Sequence, residues 1–112
     1  MNNLDEAKAY LRVDSDFEDS LISSILTSAE MLCRDVARLS IDEWEAIEED
    51  ASSVTIRDKE YTAKEILQMK EILRMGILYA VGYLYEHREE ADHHDLTLTL
   101  RNLLFSIREG VI

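Results

Sequence analysis

The sequence has no proline, three glycines and one cysteine among its 112 residues. Folds built wholly from β-strands need turn residues about every eight to twelve positions, and this chain cannot supply them. The lone Cys33 has no partner for an internal disulfide and cannot build a metal cluster by itself. It lies in an apolar helical pattern, which favours a buried, unreactive thiol. We therefore expect a helical fold without disulfides.

Basic residues are also few. The chain has 12 Lys and Arg against 24 Asp and Glu, which gives a formal net charge of −12. Phosphate binding needs clustered Lys and Arg, and here the basic residues are spread along the middle of the chain. We expect no sequence-specific nucleic-acid binding, although an acidic wall can line a passage for DNA without adhering to it.

Long hydrophobic segments are missing as well. The longest apolar run, residues 76–84, is much shorter than the roughly 20 residues that a membrane span needs. The segment from residue 1 to residue 16 is polar and acidic, unlike a signal peptide. These features predict a protein that is made in the cytosol and has no membrane contact. The length, together with 46% hydrophobic residues, predicts one folded domain spanning residues 1–112.

Apolar residues recur at helical spacing along most of the chain. Asn3 is predicted to cap a short helix at about residues 4–12. A capping box at residues 15–18 predicts a second, strongly amphipathic helix that begins at once and runs to about Val36. Its predicted inner face comprises Phe17, Leu21, Ile22, Ile25, Leu26, Ala29, Leu32, Cys33 and Val36.

The central element is predicted to be a long helix that is opened by a capping box at residues 62–65 and runs to about Arg88. From Met75 onward it is apolar almost all round, which indicates burial on several sides. Gly76 and Gly82 are unfavourable inside a helix and indicate close approach by neighbouring helices. The predicted inner residues are Ile66, Leu67, Met69, Ile72, Leu73, Ile77, Leu78, Ala80, Val81, Leu84 and Tyr85.

A charged break at residues 86–95 separates the central helix from a last helix at about residues 97–109. Gly110 is its predicted C-terminal cap. The residues of the last helix predicted to face inward are Leu100, Leu103, Leu104 and Ile107.

The segment at residues 40–62 lacks a long helical pattern. A capping box headed by Ser40 predicts a short helix that carries Trp44. Two alternating stretches, at residues 54–56 and 60–62, suit a small hairpin. Excursions of this kind often carry contacts to partners.

The predicted fold class is therefore all-α. We expect a compact bundle of about four to five helices around a long central helix. A long, partly irregular excursion at about residues 40–62, which can hold a small hairpin, interrupts the bundle.

No constellation for catalysis is apparent. The serines occupy predicted caps or polar helix faces, without a Gly-x-Ser-x-Gly motif or a glycine-rich phosphate loop. Glu90-Ala91-Asp92-His93 has the Glu-x-x-His spacing of di-iron bundles, but such a site needs a second copy of the motif and further inward-facing glutamates. We expect no enzyme activity, no cofactor and no metal ion.

Tyr79, Tyr83 and Tyr85 fall within seven residues of the predicted central helix. At about 100° per residue they point in different directions, so one small core cannot bury all three. At least one should lie near the surface or an interface. Whether such a tyrosine is a wetted rim residue or contacts a partner stays open.

Two segments resemble the signature of phage head–tail connector proteins, a family also labelled possible DNA packaging proteins. In LDEAKAYLRVDSDFEDSLISSILTSAE, at residues 4–30, a short helix ends in Leu-Arg-x-Asp. The family's next helix begins with Asp-x-x-Leu, and here Asp19 and Ile22 or Leu21 occupy those places. In GILYAVGYLYEHRE, at residues 76–89, a long apolar helix ends in Tyr-Glu-x-Arg. The pattern is not matched between residues 40 and 62, where an acidic tract replaces a loop with glycine and proline. The candidate signature or interface residues are Arg12, Asp14, Asp19, Tyr85, Glu86, Arg88 and Arg108.

The resemblance implies a structural subunit of phage or prophage origin. In that role the chain would form a homo-oligomeric ring of about a dozen copies beneath the portal protein. The ring would extend the DNA channel and dock the tail-side head-completion protein. Its location would be the virion, and the cytoplasm of the bacterial host during assembly. Arg12 and Arg88, set among acids, are candidates for ion pairs, which we expect within a subunit rather than between subunits.

The residues also suit a second function. A small acidic helical module, such as a regulator or an antitoxin-like protein, binds a basic partner through its charge. The tract at residues 42–50, with six acidic residues and no basic one, supports that alternative. A small helical enzyme is the third hypothesis, and it is disfavoured because no catalytic constellation is apparent.

Overall fold

In the computed structural model, which describes residues 3–90 and 92–112, most residues are helical. The elements are α1 (Leu4–Leu11), α2 (Asp19–Val36), α3 (Ile41–Glu48), β1 (Ser53–Ile56), β2 (Lys59–Thr62), α4 (Ala63–Glu86), α5 (His94–Leu103) and α6 (Phe105–Arg108). The predicted helical class is confirmed in outline. In this part of the chain six helices and one small antiparallel sheet replace the expected four to five helices.

Three helices begin at caps that the sequence predicts. Asn3 Oδ1 accepts a hydrogen bond from the Glu6 amide at 2.8 Å at the start of α1. Ser40 and Thr62 each head a complete capping box, at the starts of α3 and α4. These bonds satisfy backbone N–H groups that a helix start leaves without partners. The starts of α1, α3 and α4 are therefore encoded locally.

The start of α2 differs from the prediction. The helix begins at Asp19, and no side chain caps it, so the capping box predicted at residues 15–18 does not form. Glu18 Oε1 instead accepts a hydrogen bond from the Tyr85 hydroxyl. Phe17 therefore precedes the helix and is 93% exposed, instead of lying on the inner face.

The long helices α2 and α4 form the centre of the fold and run antiparallel. Glu18, just before α2, contacts Tyr85 near the end of α4, while Cys33, near the end of α2, lies beside Gly76 in the middle of α4. The helices α1 and α5 each contact both of them. The largest fully buried side chains are Tyr61, Ile22, Ile47, Ile56, Ile66, Met69, Leu73, Ile77, Leu96, Leu100, Leu104 and Ile107.

The close approach predicted at the two helix glycines is confirmed. A Cβ atom on Gly76 would lie 3.0 Å from Leu104 Cδ2 and 3.6 Å from Cys33 Sγ. A Cβ atom on Gly82 would lie 3.0 Å from Tyr10 Cε2. Each glycine therefore lets a neighbouring side chain pack directly on the backbone of α4.

Residues 40–62 fold into α3 and the β1–β2 hairpin, which corrects the expectation of a partly irregular excursion. Both elements contact α4 and contribute side chains to the core, because each has apolar residues on one face. The buried side chains from this region are Trp44, Ile47, Ile56 and Tyr61. The predicted hairpin is confirmed.

The hairpin turn is tethered to two helix ends. Its two residues, Arg57 and Asp58, have φ angles of 47° and 68°, the left-handed conformation that a type I′ turn requires. The Arg57 guanidinium donates hydrogen bonds to the carbonyl oxygens of Arg38, Ile107 and Arg108 at 2.8, 2.7 and 3.0 Å. Three bonds thus hold the hairpin against the C-terminal ends of α2 and α6.

The predicted last helix is divided in two. α5 begins at His94, earlier than expected, and ends at Leu103, so that Leu104 separates it from α6. Leu104 is fully buried, whereas Leu103, also predicted to face inward, is 42% exposed. Leu67 and Leu21 are likewise exposed, because helical periodicity shows which residues share a face but not how much of that face is covered.

Gly110 terminates α6 as predicted, with a φ of 67°. The amide of Val111 donates to the Ser106 carbonyl and that of Gly110 to Ile107, the bonds of a Schellman motif. In the described parts of the chain, no helix combines the length and the apolar character that crossing a membrane requires.

Candidate functional site

Most of the candidate residues meet at one end of the bundle, where α2 begins and α4 ends. The Tyr85 hydroxyl donates to Glu18 Oε1 at 2.6 Å, and Lys8 Nζ lies 2.8 Å from Asp19 Oδ1. The hydrogen bond to Glu18 raises the pKa of Tyr85, and the hydrogen bond to Asp19 raises the pKa of Lys8. Asp19 and Tyr85 therefore fix the segment between α1 and α2 against the other helices.

The Arg88 side chain folds back onto Tyr85. Arg88 Nη1 donates to the Tyr85 carbonyl at 2.7 Å, and its guanidinium carbon lies 5.1 Å from the centre of the Tyr85 ring. Among residues 3–90 and 92–112, no carboxylate lies within ion-pair distance of Arg88 or Arg12. The ion pairs that we expected inside the subunit for these two arginines are thus not found in that part of the chain.

Arg12 and Glu86 lie on the rim of a cleft between α1 and the last turns of α4. This α1–α4 cleft has a volume of about 360 Å³. Arg12 follows α1 in the left-handed conformation, with a φ of 59°, and so ends the helix. The residues that line the cleft are Tyr10, Leu11, Arg12, Tyr79, Gly82, Tyr83 and Glu86.

The tyrosine prediction is confirmed. Tyr79 is exposed in the α1–α4 cleft, and Tyr83 and Tyr85 are half-buried. Tyr83 stacks on His87 with ring centres 4.2 Å apart and meets His93 edge-on at 6.0 Å. Burial, followed by the negative charge of Glu90, raises the pKa of Tyr83. Tyr79 and Tyr83, one helical turn apart, thus both line the α1–α4 cleft, whereas Tyr85 contacts Glu18.

The turn between α1 and α2 presents Phe17 to solvent. Asp14 and Asp16, in the same segment, are also exposed. Sequence reasoning missed this exposure because Phe17 continues the apolar spacing of α2. The sequence did contain a signal of this exposure. Asp14, Asp16 and Glu18 lie within three residues of Phe17, and burial of Phe17 would draw these charges toward the core, which is unfavourable.

Arg108 lies at the opposite end of the bundle. Its Nη1 donates to the Val36 carbonyl at 2.9 Å, which joins α6 to the end of α2. Burial lowers the pKa of Arg108, and the positive charges of Arg38, Arg101 and Arg57 lower it further. The fold therefore brings Arg38, Arg57 and Arg108 together from distant parts of the sequence, with Arg101 close enough to act on Arg108. This arginine cluster corrects the expectation that the basic residues stay spread out.

Neither the one thiol nor the metal-ligating side chains form a reactive site in the described residues. Cys33 is buried, as predicted, and burial raises the pKa of its thiol to about 12. Among residues 3–90 and 92–112, no three His, Cys, Asp or Glu side chains lie close enough together to hold a metal ion. The Glu90–His93 motif includes Ala91, which lies outside the described residues.

Comparison with known proteins gives one finding. A family model described as phage gp6-like head-tail connector protein matches residues 1–110 of the chain. Neither a curated protein nor a solved structure matches the chain.

Proposed function

Because the chain belongs to the family of phage gp6-like head-tail connector proteins, a structural family, we propose that it is the subunit of a connector ring. In this proposal the ring docks beneath the portal, extends the DNA channel and joins the head to the tail. The observation that carries the proposal is the family match over residues 1–110, which includes both the helical core and the candidate surface residues.

Two features of the molecule support a role in assembly. Large apolar side chains, Phe17 above all, are exposed at several places on the surface, where a partner can cover them. The signature residues Arg12, Asp19, Tyr85, Glu86 and Arg88 lie at one end of the bundle and Arg108 at the other. A subunit between a portal and a tail protein needs two such separate surfaces.

The charge of the chain suits the passage of DNA. A formal net charge of −12 repels the phosphates of a passing duplex and so limits adhesion. A closed ring also needs a heterologous contact, in which one patch meets a different patch on the neighbour. We take residues 1–112 to act as one unit in this ring, located in the virion and, during assembly, in the host cytoplasm.

Co-expression with the portal protein of the same phage tests the proposal. We expect affinity-purified portal to retain the chain, and electron microscopy to show an added ring of about a dozen copies. The matched control is a portal assembled without the chain. Absence of the chain both from purified portals and from phage particles, measured by mass spectrometry, would contradict the proposal.

A further inference from the structure

Phe17 is the most exposed large apolar side chain of the described residues, at 93%. Single exposed apolar residues are common, so exposure alone says little. Phe17 differs in that the turn that carries it is fixed on its C-terminal side. Glu18 is bonded to Tyr85, Asp19 is paired with Lys8, and the Asp19 amide donates to the Asp16 carbonyl. An aromatic held outward in this way is pre-organised for a contact, which reduces the entropy lost on binding.

The α1–α4 cleft offers a place for such a side chain. Three tyrosines, Tyr10, Tyr79 and Tyr83, are among the residues that line it, together with Leu11 and the backbone of Gly82. Aromatic rings pack favourably against each other in edge-on or offset arrangements. A volume of about 360 Å³ is small for a ligand pocket but sufficient for one phenyl ring. In its own subunit Phe17 does not enter the cleft.

Charges around the two features are complementary. Phe17 is flanked by Asp14 and Asp16, both exposed, and one side of the cleft rim is formed by Arg12. Arg12 has no carboxylate partner within the described part of its own subunit. Glu86, on the rim as well, repels the acidic turn and so favours the orientation that places the aspartates beside Arg12.

The positions of the two features suit a closed ring. Glu18, next to Phe17, is bonded to Tyr85, and the following residue, Glu86, lines the cleft. The exposed aromatic and the cleft are therefore at the same end of the bundle. In a closed ring every copy has the same height along the ring axis, so two surfaces that meet between neighbours must lie at a similar height, as these two do when the axis is parallel to the bundle.

We infer that Phe17 of one copy inserts into the α1–α4 cleft of the neighbouring copy, with Asp14 and Asp16 beside the neighbour's Arg12. The inference rests on the proposed ring and specifies its contact between subunits. The occupant of the cleft is a second copy of this chain, and the contact is heterologous because Phe17 and the cleft are different surfaces.

Cysteine cross-linking tests the contact directly. The double variant Ser15→Cys with Tyr79→Cys keeps Phe17 in place, because Ser15 is exposed in the same turn, two residues before it. The variant is assembled on co-expressed portal and also concentrated alone, then treated with a short bis-maleimide cross-linker and separated on a denaturing gel. We expect a ladder of covalent multimers up to the closed ring. Each single variant should give monomers and, at most, traces of dimer. Cys33 is buried and should not compete.

The matched control pairs Tyr79→Cys with Phe105→Cys, because Phe105 is an exposed phenylalanine on α6, near the other end. An equal ladder in this control would overturn the inference. A strong dimer from Ser15→Cys alone would do so too, since it indicates a symmetric contact. Rings seen by microscopy without a cross-linked ladder between positions 15 and 79 would refute the contact and leave the proposed function intact. Absence of rings in both settings would remove the proposed function and the contact together.

A second experiment changes the size of the side chain at position 17 and the charges at positions 12 and 16. Phe17→Ser should leave the unfolding midpoint unchanged, because the side chain is exposed, and lower the number of copies per portal at least tenfold. Arg12→Glu should weaken the ladder of the double cysteine variant, and Asp16→Arg in the same chain should restore it. In the opposite outcome, the Phe17→Ser variant fails to bind the portal while its copies still cross-link to each other. That result would mean that Phe17 contacts the portal, and the inference would be wrong.

Discussion

Three helices end at non-glycine residues in the left-handed conformation, which L-amino acids seldom adopt. Arg12, Arg38 and Asp50 follow α1, α2 and α3 with φ angles of 59°, 60° and 56°. Each makes the bonds of a Schellman motif; for example, the Leu39 amide donates to the Arg34 carbonyl and the Arg38 amide to Asp35. Glycine is strongly preferred at this position, because it adopts the left-handed conformation without strain. A chain with three glycines in all thus carries local strain at its turns.

Replacing Arg38 with glycine should stabilise the protein. Relief of the left-handed strain, which amounts to about 1 kcal/mol, exceeds the small entropic cost of glycine in the unfolded chain. Urea denaturation followed by circular dichroism should show a higher free energy of unfolding. Arg34→Gly, inside α2, is the control and should lower it by about 1 kcal/mol. A destabilised Arg38→Gly would contradict the argument.

The Tyr85–Glu18 hydrogen bond predicts a pH dependence. Because the folded-state pKa of Tyr85 is raised, the bond contributes stability fully below the ordinary tyrosine pKa of about 10. The contribution is lost as the pH rises through the folded-state value. Tyr85→Phe should therefore be less stable than wild type at about pH 8, and the difference should shrink at about pH 11. Tyr79→Phe serves as control, and an equal pH-dependent difference there would refute the assignment.

At the scale of elements, the two glycines of α4 should respond differently to alanine. Gly76 faces Leu104 Cδ2, which is fully buried and cannot move, whereas Gly82 faces the ring of Tyr10, which is partly in solvent. Gly82→Ala should raise the free energy of unfolding by up to about 1 kcal/mol through helix propensity. Gly76→Ala should gain less or lose stability, because the core is overpacked. Thermal denaturation of the two variants compares them, and a larger gain at Gly76 would be inconsistent with the packing.

The break between α5 and α6 predicts unequal roles for two adjacent leucines. Leu104→Ala removes a fully buried side chain and should cost about 2 to 5 kcal/mol. Leu103→Ala removes an exposed one and should change the stability by less than about 0.5 kcal/mol. Chemical denaturation measures both. Similar losses would mean that the last helix is continuous, as its periodicity suggests.

The sequence predicts elements whose determinants are local. The capping bonds of Asn3, Ser40 and Thr62 lie within three residues of each cap, and the starts of α1, α3 and α4 are accordingly correct. The predicted start of α2 was wrong, because the Glu18 side chain accepts a hydrogen bond from Tyr85, which is distant in sequence, instead of closing a capping box. Similarly, the burial of α3 and the hairpin depends on contacts with α4 that no local pattern contains.

At the scale of the molecule, the arginine cluster raises the question of DNA contact. Two of its members, Arg57 and Arg108, donate to backbone carbonyls at the ends of α2 and α6. With a net charge of −12, we expect no binding of duplex DNA at about 0.15 M salt. Fluorescence anisotropy of a labelled duplex tests this expectation. Binding that is abolished by Arg101→Glu would contradict it and assign the contact to the cluster.

The candidate surface was predictable only in part. The family signature pointed to Arg12, Glu86 and their neighbours as candidates, and their role stays a prediction. The tyrosine spacing indicated that at least one ring reaches the surface. The cleft itself was not predictable, because it arises where Tyr10 of α1 meets Gly82 of α4. Such tertiary encounters depend on how helices cross, which periodicity does not specify.

The tether of Arg57 has a mechanical consequence. Since one guanidinium contacts carbonyls on both α2 and α6, tension applied to the hairpin divides between two helices instead of loading one. These acceptors are backbone atoms, so they remain in place whatever side chains the two helices carry. A load on the hairpin would thus reach the core through α2 and α6 together.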